Sequence, residues 1–212
     1  VKVARSSALC LAFAALSAGA LCAAHPFGLS STNRLFALEP DTTGARVAYV
    51  LDLAELPTTE ELARLDRDRD GQVTAVEREA YLDALFERLQ GEWRWSVDGR
   101  PTRPRIVARS LEVGTGEGNL NTLRVVAELR IDRPLPVDSR SAFVVSVRDE
   151  SYSDRPGWRE LRVESSSSMR VVTESGEADP SILARRAAGE RVTLRMRGCS
   201  FGLEPITPIV GP

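Results

Sequence analysis

The sequence predicts a mainly β, α+β fold, an antiparallel β-sandwich with one helix-loop-helix inserted at residues 57–90. Three observations predict it. Short runs alternate apolar and polar residues, turn-type residues separate those runs, and one stretch alone changes to a helical period. The clearest run is 46–53, where Val47, Tyr49, Leu51 and Leu53 fall on one face. Similar runs lie at 93–97, 105–113, 123–131, 142–148, 158–163, 169–173 and 191–196. Between them stand Asp98-Gly99, the glycine-rich 114–119, Arg133-Pro134, Arg155-Pro156-Gly157 and Ser175-Gly176. Short strands at this spacing suit an antiparallel sandwich. Gly114-Thr115-Gly116-Glu117-Gly118 lacks the spacing of a phosphate-binding loop and no helix follows it, so it is expected to be a turn.

The helical stretch has its own signals. Thr58 followed by Glu61 has the form of a capping box at the start of a first helix, whose Leu62 and Leu65 share one side. In the second helix Val76, Ala80, Leu85 and Leu89 recur at helical intervals, with Tyr81, Leu82 and Phe86 widening the apolar face. Gly91 is expected to end that helix.

Between the helices runs Asp66-Arg67-Asp68-Arg69-Asp70-Gly71-Gln72-Val73-Thr74-Ala75-Val76-Glu77, which fits the twelve-residue EF-hand calcium loop at each specified position. Asp66, Asp68 and Asp70, at alternate positions, bring carboxylates to one point as the chain turns. Gly71 permits the sharp bend, Gln72 offers its backbone carbonyl, and Val73 faces inward. Thr74 ligates directly or through water, and Glu77 closes the site with both oxygens. A chance match at this spacing is on the order of one chain in 10⁵, which favours calcium over a solvated acidic turn. Oxygen ligands on a flexible loop suit calcium better than magnesium, which demands tighter octahedral packing. Arg67 and Arg69 offset half of the loop's negative charge and should weaken the attraction. No second such loop occurs in the chain, so this one pairs in a homodimer or leans on the β domain.

Composition narrows the function classes. The 212 residues carry a net charge of −2, which points away from nucleic acid and anionic membrane surfaces. Lys2 and Arg5 precede an uncharged stretch at 8–24 that ends in Cys22-Ala23-Ala24, the layout of a secretory signal peptide. The competing reading is a membrane anchor, but a short run rich in Ala, Ser and Gly spans a bilayer weakly. The expected organisation is a signal peptide at 1–24, a β-sandwich domain at 25–197 and a Pro-rich tail at 198–212. The mature protein is then secreted or periplasmic, without membrane insertion. Cys199 becomes its only thiol, read as a buried small hydrophobe rather than a reactive group. His25 is the only histidine, and no G-x-S-x-G stretch accompanies it. Common hydrolase chemistry is therefore not expected, and the chain reads as a binding protein rather than an enzyme.

His25-Pro26-Phe27-Gly28, the segment Val47-Ala48-Tyr49-Val50-Leu51-Asp52-Leu53-Ala54-Glu55-Leu56-Pro57-Thr58, the acidic loop, and Arg155-Pro156-Gly157-Trp158-Arg159-Glu160 follow one another in that order. This pattern resembles the extracytoplasmic N-terminal domain that precedes the membrane permease in bacterial nickel/cobalt-transporter-like proteins. The resemblance runs from His25 to about Val163. It implies a bacterial envelope domain accessory to metal handling, with a membrane permease or another envelope protein as partner. The sequence shows no permease of its own, so transport is not carried over.

That implication draws attention to His25. Cleavage after Ala24 would make it the mature N-terminus, where amine and ring nitrogen together chelate a transition metal such as nickel, cobalt or copper. Pro26 has no N–H and cannot lend a deprotonated amide as a third ligand. The competing reading is an exposed terminus beside a strand. Three classes therefore stand side by side: a calcium-binding envelope module, a transition-metal accessory protein using His25, and a carboxylate-dependent enzyme with an acidic cleft elsewhere.

Overall fold

The computed structural model describes residues 28–41, 43–132, 143–163, 169–173, 176–177, 183–186 and 192–198. It shows an α+β fold made mostly of strands. In chain order these are β1 (Thr32–Asp41), β2 (Gly44–Leu53), α1 (Glu55–Leu65), α2 (Ala75–Glu92), β3 (Trp93–Val97), β4 (Arg100–Thr102), β5 (Arg105–Thr115), β6 (Asn121–Asp132), β7 (Phe143–Asp149), β8 (Arg159–Val163), β9 (Met169–Thr173), β10 (Gly176–Glu177), β11 (Leu183–Arg186) and β12 (Val192–Gly198). One sheet is built on the order β8-β1-β2-β6-β5, with β11 beside β8. The other is built on β7-β3-β4, with β12, β9 and β10 continuing beyond β7.

Alternation produces the central strands. Val47, Tyr49, Leu51 and Leu53 of β2 are fully buried, and their register partners Leu129, Ala127, Val125 and Leu123 of β6 are buried beside them. Across from this face stand Trp93, Trp95, Val97, Val145 and Val147 of the second sheet, in the same apolar cluster. Phe36 of β1 joins the two layers, its ring 5.3 Å from Trp93 and 5.1 Å from Trp95, both edge-on. Edge-to-face geometry at this spacing suits the ring quadrupoles. The α2 helix seals one flank of the cluster with Tyr81, Leu82, Leu85, Phe86 and Leu89.

Three expectations are corrected. The first sheet is mixed rather than antiparallel throughout, because β8 runs parallel to β1 from Arg34↔Arg159 to Leu38↔Val163. The chain reaches β8 from β7 of the other sheet, and such a connection frees it from the hairpin geometry that enforces antiparallel pairing. The helices also begin and end elsewhere. The α1 helix starts at Glu55, directly after β2, with Ala54 as an N-cap that offers no side-chain bond. Thr58 therefore caps nothing and donates to the Leu53 carbonyl at 3.1 Å. Pro57 falls in the first turn, where a missing N–H is harmless. At the far end α2 passes through Gly91 to Glu92. Gly91 is not among the positive-φ glycines, so it forms no left-handed cap.

The hairpin turn Asp98-Gly99 has positive φ at both residues, 50° and 75°, as a tight two-residue loop between β3 and β4 requires. The turn residues Arg133-Pro134 and Ser175 lie outside the described residues, as do 1–27, with the signal segment and His25, and 199–212, with Cys199 and most of the tail.

Candidate metal centre

The α1 helix ends at Leu65, which is fully buried, and α2 begins at Ala75. The nine residues between them must reverse the chain outside the core. Asp66, Asp68 and Asp70 each spend one carboxylate oxygen on that turn. Asp66 Oδ2 accepts from the Gly71 N–H at 3.0 Å, Asp68 Oδ1 from Asp70 at 3.2 Å, and Asp70 Oδ1 from Gln72 at 2.7 Å. Gly71 sits at φ +83°, a conformation that costs a residue with a Cβ, and Arg69 at +61° bends the chain in the same sense. The three aspartates offer ligand oxygens that lie within 4.8 Å of one another. Asp66 Oδ1 is buried and has no hydrogen-bond partner.

Glu77 and Thr74 have a different place. Thr74 is the N-cap of α2, its hydroxyl accepting from the Glu77 N–H at 3.3 Å. Glu77 reaches back: Oε2 accepts from the Thr74 N–H at 3.0 Å and from its hydroxyl at 2.7 Å, and Oε1 accepts from the Arg67 N–H at 2.8 Å. This capping box was legible as Thr74-x-x-Glu77 but is hidden inside the metal-loop pattern. The amide and hydroxyl of Thr74 and the amide of Arg67 together push the Glu77 carboxyl down to about 2. Glu77 thus stays anionic and links both ends of the loop, but it is not part of the aspartate group. Val73 is half-buried and packs on the apolar cluster, as its inward placement requires. Val76 departs from expectation, being 79% exposed on the outer side of the first turn.

The donor set fits a hard cation. Carboxylate oxygens from alternating positions, the second oxygen of each free of the turn, and the Gln72 carbonyl are ligands that calcium accepts in flexible geometry. Nitrogen and thiolate ligands, which transition metals prefer, are missing from the loop.

Sequence reasoning missed how the two helices are tied together. Glu61 is buried, and its Oε2 accepts from the Tyr81 hydroxyl at 2.9 Å, while Oε1 accepts from Arg64 at 3.0 Å. Burial, followed by the Glu61 charge, raises the Tyr81 phenol well above its usual range, so it keeps its proton and remains a donor. Arg88 donates to the Tyr152 hydroxyl at 2.7 Å and stacks over its ring, Cζ lying 4.6 Å from the centroid. Glu61, Arg64, Tyr81 and Arg88 edge a cleft of about 430 Å³ between α1 and α2. A pairing of residues 20 apart on two helices has no local signature. Among the described residues, no helix is long and apolar enough to cross a membrane.

No family model matches this chain, and no curated protein matches it.

Proposed function

We propose that this protein is a calcium-binding module of the cell envelope, an EF-hand set between strands of a β-sandwich, in which the ion acts as a structural staple. One observation carries the reading: Asp66, Asp68 and Asp70 converge their carboxylates within 4.8 Å, on a twelve-residue spacing with Gly71 in the left-handed region at its centre. Asp66, Asp68 and Asp70 hold the ion through the oxygens the turn leaves over. Gln72 adds its carbonyl, and Thr74 and Glu77 lie at the closing end of the loop. The uncharged 8–24 segment behind Lys2 and Arg5 supports an envelope location. Its partner there is another envelope protein, a membrane permease or a second copy of the chain.

Three like charges crowded together repel one another, and a divalent cation removes that repulsion. An ion that binds the folded chain alone stabilises it by about 2.7 kcal/mol at a hundredfold excess over Kd. Thermal melts in millimolar calcium against chelator should therefore show a rise in Tm, larger with calcium than with magnesium. Glu77→Gln is the informative variant, because Gln also completes a capping box while lowering the charge at the loop's closing end. It should fold without calcium and lose most of the calcium-dependent rise. An unchanged melting temperature of the native protein in calcium would overturn the assignment.

A further inference from the structure

Arg34 of β1 and Arg159 of β8 are register partners in the parallel pair. Arg34 is almost fully buried and Arg159 is nearly so, with side-chain exposures of 1% and 13%. Among the described residues one carboxylate pairs with both, that of Asp149 at the end of β7. Its Oδ2 accepts from Arg34 Nε at 3.1 Å and stands 3.9 Å from Arg159 Nε, beyond hydrogen-bond length. Its Oδ1 is taken by the Ser151 N–H at 2.9 Å and the Ser151 hydroxyl at 2.5 Å. Arg159 spends Nη2 on the carbonyls of Ser151 and Tyr152, at 3.1 and 3.3 Å. Arg34 spends Nη1 on the Thr32 carbonyl.

Donors remain. Arg34 Nη2, Arg159 Nε and the Tyr49 hydroxyl are buried without a hydrogen-bond partner, and Tyr49 is completely buried. Trp93, the register partner of Asp149 across β3 and β7, has an indole N–H in the same condition. Two guanidiniums that cannot shed their protons thus face one carboxylate. Arg88 of α2, which shares the Tyr152 ring with Arg34, is held by Tyr152 and Glu92. Burial and the adjacent Arg34 charge lower the Arg159 guanidinium from its usual range, as expected where like charges crowd. Burial, then Asp149, keeps the Tyr49 phenol protonated and donating.

A water molecule would satisfy a donor here but leave the excess positive charge buried, which is the costlier half of the problem. A partner that only accepts, and carries one negative charge, answers both. The Tyr49 ring itself is closely packed, 4.9 Å from Phe36 and 4.8 Å from Trp93 between centroids. We propose that Arg34, Arg159 and Tyr49 form a binding site for a small monovalent anion of the chloride class, at the end of the apolar core closed by the 151–154 turn. The slightly exposed Arg159 marks the side from which the ion enters. A divalent anion would over-compensate the charge.

The test uses the full chain at fixed calcium, melted at constant ionic strength while sodium bromide replaces sodium gluconate, whose anion is too large for the site. Tm should climb with bromide and saturate, the folded-to-unfolded ratio rising about elevenfold at ten times Kd. Arg159→Gln should abolish the dependence. Tyr49→Phe, which removes one donor and keeps the ring, should weaken it and serves if the arginine variant does not fold. Crystals grown in bromide should give an anomalous peak between Arg34 and Arg159. Superimposable bromide and gluconate melts would overturn the proposal. So would bromide confined to the outer surface, an adventitious ion only, or an ordered water at that position.

Discussion

A methyl group on Gly157 would drive into the backbone of Thr32. The glycine sits at φ +141°, and its ideal Cβ position falls against the Thr32 carbonyl, a group the sheet cannot move cheaply. The close approach is functional for the fold: the Thr32 N–H donates to the Pro156 carbonyl at 2.8 Å, the Arg34 N–H to the Trp158 carbonyl at 3.0 Å, and the Trp158 N–H to Asn33 Oδ1 at 3.1 Å. These bonds deliver β8 parallel to β1 and bring Arg159 beside Arg34. Gly157→Ala combines a forbidden dihedral with a backbone clash, so it should cost about 2 to 4 kcal/mol. Urea melts at fixed calcium check this, and a loss below about 0.5 kcal/mol would show that the Arg155-Pro156-Gly157 turn relaxes without harm. The turn itself was legible from its residue types. What it approaches was not, because Thr32 is remote in sequence.

The hairpin of β1 and β2 shows the same division at the level of elements. The β2 strand was read correctly because only one of its faces is buried, so its apolar residues alternate. The β1 strand was missed because both faces are largely covered, by Asn33 and Ala37 as well as Phe36 and Leu38, and a polar Asn33-Arg34 start hides the pattern. Its far end is fastened by chemistry no periodicity reveals. Asp41 takes a two-pronged pair from Arg130 of β6, at 2.5 and 2.9 Å, and accepts from both the amide and hydroxyl of Thr43 at 2.8 Å. Burial alone would raise the Asp41 carboxyl, but the bonds from Arg130 and Thr43 outweigh it and hold it at about 2. The unfolded value is about 3.9. The folded value is the lower one, so the stabilisation is complete above pH 4 and disappears as pH falls through 2. The Asp41 side chain is 27% exposed, and solvent screening reduces the effect to about 1 kcal/mol. The stability gap between native protein and Asp41→Asn should therefore shrink by about that much between pH 5 and pH 2.5. A gap that stays constant across that range would mean the pair contributes through shape alone. The aspartate loop was the most legible element because its carboxylates are local, at alternate positions of one turn. The buried Arg34–Asp149 pair spans 115 positions and left no trace in the sequence.

At the scale of the whole molecule, the question is what a loop at the surface does for the core beneath it. The α2 helix is continuous from the N-cap Thr74, inside the loop, to Trp93, where β3 begins without a linker. Phe86 on that helix meets Tyr49 and Trp93 edge-on at 6.3 and 6.4 Å, so the helix is part of the wall between the two sheets. The Tyr81–Glu61 bond ties α1 to it. A calcium ion that fixes the loop should thus fix the relative seating of two helices already docked by their apolar faces. A sensor requires a different arrangement, with an adaptable apolar groove uncovered when the ion binds. The α1–α2 hairpin contains no methionine, and apart from the exposed Leu56 and Val76 its large apolar side chains are spent on the core. Hydrogen exchange resolves the two cases by location. With calcium in hundredfold excess over Kd, amides of α1 and α2 that exchange by local opening should slow by about a hundredfold relative to chelator. Amides in the middle of β2 and β6, which open only when the whole domain does, should slow no more than the domain's global stability gain allows. Calcium-dependent slowing confined to 66–77 would sever the loop from the core and sink the staple. A calcium-induced rise in the fluorescence of a hydrophobic dye would sink it too, since a staple covers apolar surface and only a switch uncovers it.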